Sequence, residues 1–447
     1  VKGPVVVVGA GAAGLMAAIA ARRAGAPDVI LLEKTKKVGY KILISGKGRC
    51  NITNAETSIK ELIQHYPGGG KFLWSAFSQF DTQDTVRFFE DLGLATKRDR
   101  GGRIFPVSDL SSDVVDTLVR ELTRLNGVLR LEAPGKRILT EAGRVSGLEL
   151  ESGEVVPAEA LIVTVGGQSF PGTGSTGDGY AMAREVGHRV VDPFPALVPL
   201  RVPGVKDLAG LELKNVKATV VVGGKPLISR QGELRFGHFG LTGPIILYLS
   251  RHAVLAQKQD GTVEIQVNLK PALSREQLDA GLRRDWEAKP KATLREALRE
   301  RLPEGLIDHF LGVAEVSGDQ QVAGITRADR NRLLDCMQRW TFPMTCPLSK
   351  EVAEVTAGGV DLKEIDPKTM ASRLVPGLFW AGEVLDVDGY IGGYNFQSAW
   401  STGWVAGLNA ARLVLTPEDP QTVTAPITLK TADRAERSPL DRGRAGT

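Results

Sequence analysis

The sequence predicts an α/β protein: one doubly wound domain, split in two by an insertion. Three observations carry that expectation. A β-branched run, Val5 to Val8, opens into Gly9-Ala10-Gly11-Ala12-Ala13-Gly14 and then an alanine-rich stretch. A glycine-punctuated texture of the same kind returns only after about residue 354. Between the two, the chain reads first as antiparallel strands and then as charged helices.

Each element has a local reason. Four consecutive valines suit a strand covered on both faces. The alanine-rich helix runs to about Ala24, and a second strand, Val29-Ile30-Leu31-Leu32, ends at Glu33 and closes a βαβ unit. A glycine-rich loop from Gly39 to Asn54 precedes helices near Thr82–Leu92 and Ser111–Leu125. Short strands fill 128–158, and a buried strand from Leu161 to Val165 opens onto Gly166-Gly167. The first part of the domain is thus 1–194. The insertion, 195–353, is β-rich over 195–270 and helical over 271–335, where both charge signs are interspersed as on a solvated face. Residues 354–415 complete the first domain, with a strand through Gly377-Leu378-Phe379-Trp380-Ala381-Gly382-Glu383 and a helix from Gly392 to about Leu415. Residues 416–447 carry Pro, Thr and balanced charge without an aromatic, and read as a disordered tail.

Composition narrows the function. Lys+Arg 56 against Asp+Glu 52 leaves a net charge of +4 over 447 residues, which provides no basic stripe for nucleic acid or an acidic membrane. Cys50, Cys336 and Cys346 make no disulfide framework, and with five His they show no metal-ligand spacing, so no metal is expected. Neither a signal peptide nor an apolar run of transmembrane length is present, and the cytoplasm is the expected compartment. The start at Val1 rather than Met is read as slight trimming. Glycine stands out: 51 residues, about 11% against an average near 7%, gathered in clusters.

The first cluster is a dinucleotide fingerprint. Gly9 makes a tight turn, Gly11 lets the backbone approach a pyrophosphate, and Gly14 lets helix and strand pack closely. The helix start at Ala12 and Ala13 offers unpaired N–H groups to the phosphates. Glu33, nineteen residues after Gly14, is placed to accept from a ribose hydroxyl. This motif alone leaves NAD and FAD open. The basic, glycine-rich Lys34–Asn54 stretch favours FAD. So do Glu383, positioned for a ribityl hydroxyl, and the helix opening at Gly393-Tyr394-Asn395-Phe396-Gln397, whose positive end suits the flavin N1/O2 edge.

The segments GAGAAGLMAA, KILISGKGRCNITN, GGRIFPVS, VGGQSFPGTGSTGDGYAMAREVGH, PALVPL, GELRFGHFGLTGP, GGV and GLFWAGEVLDVDGYIGGYNFQSAWSTGWVAG carry a resemblance over about 1–415. The chain resembles the bacterial NAD(P)/FAD-dependent, aminoacetone-oxidase-like flavoprotein oxidoreductases. That resemblance implies a Rossmann-type FAD-binding domain split by an inserted β-barrel-like part and a small helical part. It implies FAD along Lys34, Lys41, Gly46, Gly48, Arg49, Asn51, Gly135, Gly382, Glu383, Gly393, Asn395, Phe396 and Gln397. It also implies hydride transfer between flavin N5 and a small organic substrate, by amine oxidation or by NAD(P)H-linked reduction of an unsaturated compound. NAD(P)H would visit transiently, no nucleic acid or membrane partner is expected, and the oligomeric state stays open. Gly237 stands where Thr is expected, and Ala371 and Arg373 where Glu and Lys are commoner, which puts a transferred substrate in doubt.

Several features admit two readings. Gly172-Thr173-Gly174-Ser175-Thr176-Gly177 repeats the glycine spacing, but it starts seven residues after Val165 and precedes a short helix, so a separate nicotinamide domain is disfavoured. Cys50, Asn395 and His238 are the catalytic candidates. Cys50 lacks the second cysteine of a redox pair and reads better as a packed residue. His238, in a glycine-flanked turn, is equally an acid–base group or a loop residue. Asp386 and Asp388 read as loop-capping carboxylates. An RNA-modifying flavoprotein and a redox sensor without turnover are the alternative functions.

Overall fold

The computed structural model describes residues 3–259 and 261–415; the tail expected over 416–447 lies outside them. Five strands form a parallel sheet in the order Leu378–Trp380, Ala160–Val163, Val5–Val8, Val29–Leu32, Val128–Arg130. All four valines of the first strand are buried, as a strand covered on both faces requires. The chain order reverses between Val5–Val8 and Ala160–Val163, so the crevice for a ligand lies beyond the ends of these two strands, at Gly9 and Thr164.

The long helix Tyr394–Val414 crosses the glycine-loop helix Ala12–Arg23 at close range. A Cβ on Gly403 would stand 2.3 Å from the Ala13 carbonyl oxygen, and one on Gly407 would stand 2.2 Å from that of Ala17. The alanines of one helix and the glycines of the other exist for this crossing, which holds both helix starts against one crevice. The sequence expected strand through Glu383; the strand stops at Trp380, and Glu383 sits in a helical turn, Gly382–Val384.

The insertion has its own core, drawn from Val198 to Ala353, separate from the core built by Val5–Ala183 and Val360–Val414. Seven antiparallel strands run from Trp340–Pro343 at one edge to Cys346–Pro347 at the other. These edge strands are consecutive in the chain. Met344 N–H donates to Val263 (2.9 Å) beside one edge, and Thr345 N–H to Arg201 (2.9 Å) beside the other. The sheet must therefore curl nearly shut, which is the barrel-like part. Helices Arg275–Ala288, Leu294–Leu298 and Arg327–Arg339 each begin with a reciprocal capping box, at Ser274, Thr293 and Thr326. Two antiparallel strands, Val190–Ala196 and Val355–Val360, are the only strand pair linking insertion to main domain among the described residues.

Candidate functional site

A cavity of about 880 Å³ lies at the strand-order reversal, at the upper end of small-molecule pockets. Its wall contains every residue singled out above for the cofactor except Gly14, Gly48 and Gln397. The glycine turn divides its labour. Gly9 has φ +98 and faces the Thr164 carbonyl; a Cβ on Gly14 would stand 1.8 Å from the Gly9 oxygen; a Cβ on Gly11 would meet no atom within 4 Å. Gly14 is thus a packing residue, while Gly11 opens onto the cavity. Thr164 Oγ1 donates to the carbonyls of Val8 (2.8 Å) and Gly9 (2.9 Å), fixing the turn.

Glu33 is buried and accepts from the Ala10 N–H and the Thr35 N–H, each at 2.8 Å. It therefore shapes the glycine turn before it meets any ribose. Lys34 donates to Asp178 (2.6 Å), and Lys41 to Glu383 (2.6 Å) and Ser169 (2.7 Å). Glu383 also accepts from the Thr356 N–H (2.8 Å). The Asn51 amide oxygen accepts from the Gly393 N–H at 2.8 Å and its nitrogen donates to Thr53 and Ile104, so Asn51 anchors the start of the long helix. Asn395 bonds both the N–H and the carbonyl of Gly389 at 2.8 Å, and Phe396 stacks on Trp400. Arg49 lies over the Phe105 ring.

Some candidate residues stand apart from the cavity. Gln397 is fully buried and bonds Thr53, Thr85 and Ser401; it faces away from the cavity because one step along a helix turns the side chain by about 100° from Phe396. Gly48 closes a turn at φ +82 outside the wall. His238 is exposed at the tip of the hairpin between Lys225–Gly237 and Gly240–Thr242 and does not line the cavity. Cys50 is fully buried, its backbone N–H donates to the Ser45 carbonyl (3.2 Å), and burial pushes its thiol up to about 12, the condition of an inert thiol. The second glycine motif makes no separate domain: Thr173, Gly174 and Ser175 line this same cavity.

Residues that the sequence did not single out complete the far wall. Tyr390 stacks on Tyr248 at 3.8 Å and shares a 2.8 Å hydrogen bond between its hydroxyl and His252 Nε2. Burial, and then Arg251, lower the basicity of His252, while burial raises the Tyr390 hydroxyl, so both shifts favour the neutral groups. Arg251 pairs with buried Asp388 at 2.5 Å, tying the insertion to the Tyr390 loop. No group of three or more His, Cys, Asp or Glu side chains that could hold a metal ion occurs among the described residues. No described helix is long and apolar enough to cross a membrane.

The wall fits a flavin dinucleotide. Helices Ala12–Arg23 and Tyr394–Val414 both begin at it, at Gly11 and Gly393, without any side-chain cap. Partly buried helix starts left open in this way suit an external acceptor such as the anionic groups of a dinucleotide. Fold and site together define the class: a Rossmann-type flavoprotein oxidoreductase with FAD as its cofactor. The chain belongs to the HI0933-like family, whose Rossmann-domain model matches residues 3–409.

Among curated proteins, it is 33% identical over 418 residues to a 3-dehydro-bile acid delta(4,6)-reductase of Clostridium scindens, covering 91% of this chain and 98% of that one. It is also 33% identical over 402 residues to the ribosomal RNA dihydrouridine synthase of Escherichia coli, covering 89% and 96%. Among solved structures, the 3-ketosteroid-delta4-(5alpha)-dehydrogenase of Rhodococcus jostii RHA1 shares the fold at a TM-score of 0.50 and 16% identity, covering 92% and 97%.

Proposed function

We propose that this chain reduces a C=C bond conjugated to a carbonyl in a small organic substrate, with NAD(P)H as the transient electron donor. The observation that carries the reading is the cavity's far wall, where a proton-holding tyrosine and a helix start stand beside Leu197, Leu247 and Val387. FAD, when bound, supplies hydride chemistry at N5. The protein's own residues do the rest. Tyr390 Oη, bonded to His252, holds a proton at the wall. Gly243-Pro244 brings the positive end of helix Pro244–Lys258 to the same wall, where it favours the charge that develops on the carbonyl oxygen. Leu197, Leu247 and Val387 provide apolar surface and exclude water.

The relatives' names support this class. A delta(4,6)-reductase and a dihydrouridine synthase both put hydrogen across a ring double bond. The second name favours another reading, a uracil ring within RNA. The cavity rim weighs against it, since Arg49 is paired with Asp109 (3.7 Å) and Arg103 with Asp99 (3.4 Å), so few free cations face outward.

Anaerobic stopped-flow spectroscopy of the holoprotein tests the reading. NADH or NADPH should bleach the flavin, and a conjugated enone should restore it while yielding the saturated ketone. Bleaching by amines with reoxidation by O₂ alone would replace it with an amine oxidase. Restoration only by uridine-containing RNA, with strongly salt-dependent binding, would replace it with RNA modification.

A further inference from the structure

Tyr390 is buried and lines the cavity, and its hydroxyl meets His252 Nε2 at 2.8 Å. His252 is only half-buried, yet it is absent from the cavity wall, so its open side faces away from the cavity. No hydrogen bond or ion pair among the described residues reaches its Nδ1. His188 shows the contrast. Its ring is buried and both nitrogens are taken, Nδ1 by Glu364 (3.0 Å) and Nε2 by Ser372 (2.8 Å). A ring tied at both ends is a strut. A ring tied at one end to a cavity hydroxyl and open at the other can carry a proton between the two.

Neighbours on both sides fix the place of His252. Tyr248, one turn earlier on helix Pro244–Lys258, stacks on Tyr390 at 3.8 Å, and Arg251 holds buried Asp388 at 2.5 Å. Burial, and then Arg251, disfavour a charge that stays on the ring, which makes it a place of passage. Reduction of a C=C bond consumes a hydride and a proton, and Tyr390 has one proton to give. Leu197, Leu247 and Val387 keep water from it on the cavity side.

Resting on the reductase reading above, we infer that His252 is a positioning residue that recharges Tyr390 with a proton from solvent after each reduction. The tyrosine O–H bond breaks as its proton passes to the substrate carbon next to the carbonyl. The His252 Nε2–H then gives its proton to the tyrosinate oxygen while Nδ1 takes one from water. Ring and tyrosine end neutral, and the net reaction uses one hydride from NAD(P)H and one proton from solvent.

Two rates of the holoprotein separate a relay from a strut. In the first, holoprotein reduced with dithionite is mixed once with cyclohexenone; in the second, NAD(P)H and cyclohexenone are both in excess at low buffer concentration. His252→Gln keeps a hydrogen bond to Tyr390 but passes no proton. Its single round should stay within about twofold of wild type, because Tyr390 is already loaded, while its continuous turnover falls about tenfold or more. In His252→Ala, added imidazole should restore continuous turnover to within about threefold of wild type. A third measurement needs no turnover: diethyl pyrocarbonate should acylate His252 in oxidised holoprotein, mapped by mass spectrometry, and leave His188 unmodified.

Equal losses in both rates, full turnover in His252→Gln, no rescue by imidazole, or a His252 protected from the reagent each overturn the inference. The two readings fail separately. Wild type that cyclohexenone never reoxidises removes the reductase; wild type that turns over no faster than His252→Gln removes only the relay.

Discussion

The near and far walls of the cavity are built on opposite principles. The near wall is backbone: a glycine turn, two uncapped helix starts, and carboxylates already holding main-chain N–H groups. It comes from contiguous stretches whose glycines are needed either for close packing, as at Gly14 and Gly393, or to leave the cavity open, as at Gly11. The far wall is side chain: Leu197, Leu247, Glu354 and Tyr390 arrive from distant segments and meet only because the insertion folds back on the parent sheet. A backbone cradle suits a cofactor that never changes. A side-chain wall can vary its substrate without disturbing the fold.

The sharpest way to break this contrast lies within the glycine turn. Gly14→Ala places a methyl 1.8 Å from the Gly9 oxygen and 2.6 Å from Thr164 Oγ1, and backbone cannot yield there. It should cost about 3 kcal/mol or more, seen as insoluble protein or a large fall in Tm. Gly11→Ala meets no protein atom within 4 Å and should fold normally, with apoprotein Tm unchanged. Its FAD content, read from the ratio of visible to ultraviolet absorbance, should collapse. Equal behaviour of the two variants would mean that Gly11 is not a cofactor position.

On the far wall, Tyr390→Phe removes a proton and leaves the stack on Tyr248. Reoxidation of reduced holoprotein by an enone should slow by about a hundredfold, the lower range for a lost general acid, with FAD content and NAD(P)H reduction unchanged. An unaltered rate would move the proton source elsewhere.

A smaller effect follows pH. The His252 pKa is lowered in the fold, so the neutral ring, hydrogen-bonded to Tyr390, is the favoured native form. Its contribution is complete above the unfolded value of about 6.5 and is lost as pH falls through the lower folded value. The Tm difference between wild type and His252→Phe should therefore be constant above about pH 7 and shrink on acidification below about 6.5. A difference that grows with acidification would mean that the ring is charged in the native state.

The asymmetry between the walls also explains what the sequence could reveal. Gly9, Gly11, Gly14 and Glu33 were legible because strand, turn, helix and acid are adjacent in the chain, and their spacing is itself the geometry. The antiparallel strands of the insertion and the helix from Gly393 were legible from periodicity and turn residues, while the barrel-like curl followed from the family resemblance alone. His238 kept two equal readings because a glycine-flanked histidine looks the same at a hairpin tip as at a site, and only the pairing of Gly237 with Gly240 aims it outward. Gln397 was misread as a neighbour of Phe396, yet its spacing of four from Ser401 already described a buried polar pair inside a helix. Tyr390 and His252 carried no local signal at all. Their chemistry comes from packing between segments more than a hundred residues apart.

Cys50 is the weakest perturbation and the most informative about where chemistry resides. By its position after the ribose acid it stands near the cofactor, and with Arg49 beside it in sequence a reactive thiolate was conceivable. In the fold, its backbone takes φ +56 within a run of left-handed turns at Gly46, Lys47 and Gly48, which swings the side chain inward. Arg49 meanwhile reaches Asp109 and the Phe105 ring, so no cation stabilises a thiolate. Cys50→Ala should leave flavin reduction and reoxidation within about twofold and cost on the order of 1 kcal/mol in stability. Native protein treated with an aromatic disulfide reagent should release one fast equivalent, from the partly exposed Cys346, before Cys50 and Cys336 react on unfolding. A fast thiol lost in Cys50→Ala would restore a redox role for the near wall, and the division between a backbone cradle and a chemically active far wall would fail.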